Sequence, residues 1–555
     1  MKRGLGARAD ALTRLSDASP DKPLDLLVVG GGVTGAGIAL DAASRGMNVG
    51  LVERFDFASG TSSKSSKLIH GGLRYLEQRE FGLVREASAE RDLMRRLAPH
   101  LVEPIPFVLP VTSRRLRAKM GVGLWAYDAL ATMRNLHVHR RVDPAEIEEL
   151  LPPLPRAGLK GGFLFYDAKT DDVRLVMEIL LQARRHGAVV VNYAPVLDLS
   201  GSEQECSATV EDKLTGDTFE VKARKVVVAA GVWTDTLESM AQPEAEARLR
   251  PSKGIHLTFR PESLPVTNAA ALIPDLERRR MLFVIPWLDC VLVGTTDTAY
   301  EGDLDRPTVD DDDRKYCLDA VNAAFELSLT DDEIAGAYAG LRPLIAGRAG
   351  ATADLSRRHA VYDIAPGVLG ITGGKLTTWR RMAKDATDRV SADLGVSSKS
   401  KTRWIRLGSD DLIALSLAVD RRASRLAIPE TTAANLIRCY GDRALDVLDL
   451  AAQKGLAGPL VAGHPLIAAE APYCARFEMA THLSDLLARR TRVALTDPGA
   501  GIGEASTAPE LFGAEHSWSR RRRREEVESH RRAIELERGQ PLRATVTATG
   551  LDAAG

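Results

Sequence analysis

The run from Asp25 to Glu53 constrains this chain more than any other. An apolar stretch, Leu26 to Val29, leads directly into Gly30, Gly32 and Gly35. A segment with Ile38, Ala39, Ala42 and Ala43 on one helical face continues to Gly46, and a second apolar stretch runs from Asn48 to Val52. Strand, turn, helix and strand in that order form a βαβ unit that opens a parallel sheet. In the GxGxxG turn the first glycine permits the tight bend and the second lets a pyrophosphate approach the backbone. The third lets helix and strand pack closely. Gly31, Val33 and Thr34 complete the loop, and the phosphates are expected at the positive end of the helix. Glu53 ends the second strand, where a carboxylate can accept hydrogen bonds from ribose hydroxyls and repel a 2′-phosphate. Arg54 beside it joins the candidate set. The glycines alone suit flavin and nicotinamide dinucleotides equally.

A chain of 555 residues exceeds what one core usually supports, so two or three domains are expected. The 74 Lys and Arg nearly balance the 75 Asp and Glu, which removes a bulk electrostatic case for nucleic-acid binding. Cys206, Cys290, Cys317, Cys439 and Cys474 are scattered without CxxC spacing, arguing against a zinc site or a disulfide framework and for a reducing cytosol. No His, Cys or carboxylate cluster has metal-ligand spacing. Neither a signal-peptide core nor a membrane-spanning apolar run is evident.

The order of motifs predicts an interleaved α/β plus α+β architecture. A Rossmann-like dinucleotide domain, within 25–400 and mainly 25–110, 160–235 and 340–400, regains its sheet at Ala188–Val191, Lys225–Ala230 and Val368–Thr372. A substrate domain with an antiparallel sheet, mainly 111–159 and 236–339, includes FVIPW at 283–287 and CVLVGTTD at 290–297. Residues 1–24 read as a polar extension with little chemistry. Residues 405–540 read as a C-terminal helical domain rich in Ala, Leu and Arg, and 541–555 as a disordered tail. Arg520 to Arg524, followed by Glu525 and Glu526, reads as a solvated helix face.

Behind Glu53 the chain continues RFDFASGTSSKSSKLIHGGLRYLEQ. Thr61, Ser62, Ser63, Ser65 and Ser66 supply short hydroxyl donors, and Gly71 and Gly72 let backbone pass close to a flat ring. That combination suits phosphate and isoalloxazine contact. Together with FYDAKTDDVRL, AAGVWTD, SKGIHLTF, FVIPWLDCVLVGTTDTAYEGD, YAGLRPL, ITGGKLTTWRRMA and HLSDLLARRTRVAL, the segment TSSKSSKLIHGGLRYLE resembles the FAD-dependent glycerol-3-phosphate dehydrogenases. These belong to the larger flavoprotein superfamily typified by D-amino-acid oxidase. The similarity extends from about Asp25 to beyond Arg490.

The resemblance implies FAD as cofactor, with Val196, Ala230, Gly231, Gly373, Gly374, Lys375, Leu376 and His70 added to its contacts. It implies oxidation of sn-glycerol 3-phosphate to dihydroxyacetone phosphate by hydride transfer to flavin N5, with a membrane quinone as acceptor. Arg74, Arg342 and Lys375 would line the substrate pocket, with Arg358 a further phosphate candidate. Their charges also make independent sense, since a phosphorylated polyol needs cations and the arginine fork matches phosphate oxygens. Removing the alcohol proton requires a base or a polarising cation, and His256 is the lead base, with Arg342 as the electrostatic alternative. Thr295 and Thr296 offer hydroxyls to substrate, and Asp297 would orient the neighbouring loop. The GGK turn before a helix near Leu376 would face the flavin's pyrimidine edge with free amides.

Ser113 to Met133 mixes Arg114, Arg115, Arg117 and Lys119 with Leu116, Met120, Val122, Leu124, Trp125 and Tyr127. This composition suits peripheral attachment to an anionic membrane, on the inner face of the cytoplasmic membrane. A homodimer is compatible with the sequence. Two rival readings stay open: an oxidase of the same fold that uses oxygen or another hydroxy or amino acid, and a non-catalytic flavoprotein scaffold.

Overall fold

A computed structural model describes residues 4–72, 80–130, 138–275, 280–345 and 358–543. Its first sheet forms around the strand Leu24–Val29, which pairs in parallel with Val49–Val52 on one side and Asp217–Val228 on the other. Val189–Val191 extends one edge and Val368–Thr372 the other, both parallel, so the three expected returns join the same sheet. These strands are buried over most of their length, Asp217–Val228 only toward its end, which explains their runs of Val and Leu. The helix Val33–Ser44 lies against them between the helices Asp172–Arg185 and Trp379–Leu394. Its small residues allow that close packing. A Cβ on Gly37 would come within 2.7 Å of the Trp379 ring.

The second sheet is mostly antiparallel and has ten strands among the described residues. Leu249–Phe259 stands between Cys290–Gly294 and Ile334–Ile345, and Arg280–Trp287 pairs with Cys290–Gly294 as the sequence suggests. The interleaving is finer than expected. Leu68–Ile69, Glu103–Pro110 and Gly162–Lys169 fall within segments expected in the dinucleotide domain, yet all three lie in the second sheet, as does Ile334–Ile345 through residue 345. A short apolar run reads alike in either sheet; what places these strands is pairing with distant partners. Phe107, for example, stacks on Phe165 with ring centres 5.3 Å apart.

The N-terminal segment is docked to the body through the helix Arg8–Ser16. Leu5 and Leu15 are buried, and Arg8 donates to the Asn192 and Tyr193 carbonyls and to Asp212. The C-terminal helices have their own core around Leu436, Val447, Leu460 and Leu486. They meet the rest of the molecule through buried ion pairs. Arg490 donates to both Asp56 oxygens at 2.8 and 2.9 Å, Arg174 to Glu478 at 2.8 and 2.9 Å, and Arg443 to Glu178 at 2.6 Å. Losing one member of such a pair strands the other charge in a dry interior at a cost of about 3–5 kcal/mol. In the helix Arg520–Arg538 the leading arginines face outward as the sequence suggests. Glu526, however, is buried against His482 and the Leu483 amide. Of the expected tail, 541–543 are described, with the Leu542 amide bonded to Glu535, and the remainder lies outside the described residues.

Candidate active site

Two adjoining cavities open between the sheets. The smaller, about 210 Å³, lies at the carboxyl ends of the parallel strands, where the chain reverses direction across a doubly wound sheet. Gly30, Gly32, Val33, Thr34, Glu53, Arg54, Thr61, Ser62, Val196, Ala230 and Gly231 line it. Much of this wall is backbone. Gly30 adopts φ +115°, and a Cβ on Gly35 would lie 1.9 Å from the Gly30 carbonyl oxygen. The helix Val33–Ser44 begins at Gly32 without a side-chain cap, so its positive end faces the cavity. Ser62 Oγ accepts from the Val33 amide at 2.9 Å.

Glu53 is held by two amides, Gly31 to one carboxylate oxygen at 2.6 Å and Phe55 to the other at 2.9 Å. Burial raises its pKa, opposed by those two hydrogen bonds. Gly31 therefore fixes the acid and does not line the cavity itself; a Cβ there would meet Phe57 and Glu53. Arg54 pairs with Asp305, and its guanidinium lies 5.0 Å from the Trp233 ring. Trp233 donates to the same Asp305 at 2.7 Å, so a loop of the substrate half closes one end of the cleft.

The larger cavity, about 500 Å³, shares Thr61, Pro343, Gly373, Gly374, Lys375 and Leu376 with the first. Gly373 and Gly374 take φ values of +75° and +77°, and the turn runs through Leu376–Thr378 into the helix Trp379–Leu394. Thr377 Oγ1 accepts from the His70 amide at 3.1 Å, which stitches this turn to the serine-rich segment.

Strand alternation builds the opposite wall. On Leu249–Phe259, Gly254 and His256 face the cavity while Ile255 and Leu257 point into the core behind. On the paired strand Ile334–Ile345, Gly340 and Arg342 face it. Arg342 Nη2 donates to Thr295 Oγ1 at 3.1 Å and to the Thr296 carbonyl at 3.0 Å. Its Nη1 reaches the Lys253 carbonyl at 3.3 Å and Ser252 Oγ and Asp297 Oδ1 at 3.4 Å. A Cβ on Gly254 would lie 2.2 Å from Arg342 Nη2, so the missing side chain is what leaves room for the guanidinium. The cation is fixed at the cavity wall before any ligand arrives.

His256 is buried and stacks on Tyr338 with ring centres 5.0 Å apart. Its Nε2 lies 2.8 Å from Ser66 Oγ. Burial, with Lys67 and Arg342 nearby, lowers its pKa well below the ordinary 6.5, so the ring is neutral and able to accept a proton. Lys67 Nζ bonds to Asp172 at 2.8 and 3.0 Å and to the Ser63 carbonyl at 2.6 Å. Burial and then Arg492 lower its pKa to about 7, although Asp172 pulls the other way. Asp172 itself is pushed up by burial but held below the usual carboxylate range by Lys67 and Arg492.

Several candidate residues stand elsewhere than expected. Arg358 is exposed, pairs with Glu80 at 2.8 Å and lines neither cavity. Gly71 and Gly72 also line neither. At Gly71 the close approach is to protein: a Cβ would lie 2.2 Å from the Tyr127 hydroxyl. Ser63 is buried, with its hydroxyl directed at the Gly60 carbonyl, and the Ser65 hydroxyl donates to Asp172 at 2.7 Å. Ser63 shapes the segment from within, while Ser65, Ser66 and His70 line the larger cavity. Arg74 lies outside the described residues. Lys64, Phe107, Asp167 and Phe283 line the larger cavity and were not singled out from sequence. Lys64, in TSSKSS, was the one carrying a signal, a cation inside a chemistry-bearing motif.

The family described as FAD dependent oxidoreductase matches residues 25–380, and that described as C-terminal domain of alpha-glycerophosphate oxidase matches residues 400–523. Glycerol-3-phosphate dehydrogenase 2 of Mycobacterium tuberculosis is 39% identical over 96% of this chain and 91% of its own length. The crystal structure of glycerol-3-phosphate dehydrogenase from Bacillus halodurans complexed with FAD superposes with a TM-score of 0.79. It is 30% identical, covering 97% of this chain and 98% of that one. L-alpha-glycerophosphate oxidase from Mycoplasma pneumoniae with FAD bound, 19% identical, shares the fold with a TM-score of 0.56 over 69% of this chain and 97% of its own. A glycine cradle at the carboxyl edge of a parallel sheet, an amide-held acid and an adjoining basic cavity fit FAD, and this chain belongs to the FAD-dependent glycerol-3-phosphate dehydrogenase family.

Proposed function

We propose that this protein oxidises sn-glycerol 3-phosphate at C2 to dihydroxyacetone phosphate and passes the electrons to a membrane quinone. The observation that carries the reading is the convergence of Arg342, Lys375 and neutral His256 on one cavity that adjoins the cofactor cleft. Bound FAD supplies the two-electron oxidant.

The protein's own residues account for the rest. Arg342, held by its acceptors, offers a fixed charge to phosphate or to a developing alkoxide without reorganising when substrate binds. Lys375 stands where the two cavities join and adds a second cation there. His256 takes the alcohol proton at Nε2, with the Ser66 hydroxyl beside it. Thr295 and Asp297 brace Arg342 from the neighbouring strand end.

The acceptor reading rests on the helix Arg114–Leu130. Val122 and Trp125 are 73% and 64% exposed on its outer face, among Arg114, Arg115 and Lys119, while Leu124 and Tyr127 turn inward and are buried. The membrane-facing apolar set is therefore narrower than the composition implies. Lys119, Met120, Val122 and Gly123 also line the larger cavity, which gives an apolar acceptor a short route from the surface. No helix among the described residues is long and apolar enough to cross a membrane. The C-terminal match to a domain described for an alpha-glycerophosphate oxidase favours oxygen as a second reading. Flotation with anionic liposomes and turnover with a soluble quinone analogue separate the two. Binding and quinone-dependent turnover without peroxide support the proposal, and stoichiometric peroxide with no liposome binding contradicts it.

A further inference from the structure

The serine segment that carries Ser66 owes its shape to groups from other parts of the chain. Residues 64–67 belong to no helix or strand, and Lys67 adopts φ +58°. Asp172, at the first turn of the helix Asp172–Arg185, accepts from the Ser65 amide at 3.2 Å and the Ser65 hydroxyl at 2.7 Å. Tyr338, from the second sheet, donates to the Ser65 carbonyl at 2.6 Å. Lys67 closes back on the Ser63 carbonyl and on Asp172.

The remaining support comes from the C-terminal helical region. Arg492 Nη2 donates to the Ser63 carbonyl at 3.1 Å and to Asp172 Oδ1 at 3.2 Å, and its side chain is 2% exposed. Arg492 has φ +64° at the start of the short helix Val493–Thr496, which aims it inward between the helices. Arg490, two residues earlier, points at Asp56 and Glu478 and does not touch the serine segment. Two of the three arginines of one motif thus hold different things.

We propose that Arg492 is a positioning residue: through Asp172 and the Ser63 carbonyl it fixes residues 63–67 and so sets the Ser66 hydroxyl against His256 Nε2. The C-terminal region then contributes to the chemistry of the larger cavity without lining it. The proposal rests on His256 as proton acceptor. A displacement of about 1 Å at a reacting group can lower turnover about 100-fold.

The test uses the FAD-loaded enzyme. Arg492→Ala should lower kcat about 10- to 100-fold while KM for sn-glycerol 3-phosphate and the flavin-to-protein ratio change little, and Arg492→Lys should restore part of the loss. Ser66→Ala should cost a similar amount, and the double variant no more than either single one, because both act through one geometry. Arg443→Lys, in the same buried belt but remote from the segment, should leave kcat unchanged. Additive losses from Arg492→Ala and Ser66→Ala would overturn the proposal, as would a loss that follows flavin content alone. If Arg492→Ala does not fold, Arg492→Lys and Asp172→Asn combined with Ser66→Ala apply the same criterion. Full turnover in His256→Gln would instead remove His256 as proton acceptor while leaving the Arg492–Ser66 coupling measurable.

Discussion

The two cavities are walled by opposite means. The smaller one is built largely from main chain: glycines, a helix start without a side chain of its own at the cap and an acid held by two amides. The larger one is built from side chains: Arg342 and His256 on paired strands and Thr295 just past the end of Cys290–Gly294, with Lys375 at the junction. A backbone site tolerates little change at the glycines but gains little from any one side chain. A side-chain site can lose its chemistry at one residue while the fold survives. Adjacent cavities of one fold can therefore fail in separable ways.

The largest separation is expected at Gly35. A methyl group there would overlap the Gly30 carbonyl at 1.9 Å, with the Val28 side chain 3.3 Å away. Gly35→Ala should destabilise the protein by about 3 kcal/mol or more and yield it without flavin, as read by thermal unfolding and the flavin-to-protein absorbance ratio.

Arg342→Ala is the counterpart in the other cavity. It should lower kcat/KM for sn-glycerol 3-phosphate about 1,000-fold while the flavin ratio stays at the wild-type value. Wild-type kinetics in that variant would remove Arg342 from the mechanism.

Glu53→Gln should weaken FAD binding about ten-fold, close to 1.4 kcal/mol, and leave kcat at saturating FAD unchanged. A fall in kcat at full FAD occupancy would mean that the two cavities are not independent.

The smallest effect concerns pH. Burial, Lys67 and Arg342 all disfavour the charged form of His256, so its folded pKa lies below 6.5 and the ring stays neutral as pH falls to that value. From about pH 8 to 6.5, kcat/KM should show no histidine titration, with the acid limb lying lower still. A midpoint at 6.5 or above that disappears in His256→Gln, and so is not that of Lys67 at about 7, would show that burial does not govern this group.

The same contrast explains what could be read in the sequence. The glycine turn was legible because main-chain recognition demands glycine at fixed spacing after a strand, and Gly30, Gly32 and Glu53 line the smaller cavity. His256 and Arg342 were legible as chemistry on strands. Their mutual placement depends on the register that sets Ser252 opposite Arg342 and His256 opposite Tyr338, which no local pattern encodes. Arg492 sat inside a motif noted from the sequence, yet in a helical, arginine-rich region such residues read as surface. Its burial against Asp172 follows from how helices distant in sequence pack.

The central claim is that the basic cavity delivers sn-glycerol 3-phosphate to FAD. Anaerobic mixing of the flavin-loaded protein with that compound tests it most directly. The account predicts stoichiometric bleaching of the flavin absorbance by sn-glycerol 3-phosphate, lost in Arg342→Ala. A spectrum that stays oxidised with this substrate, while another polyol phosphate or an amino acid bleaches it, would contradict the account.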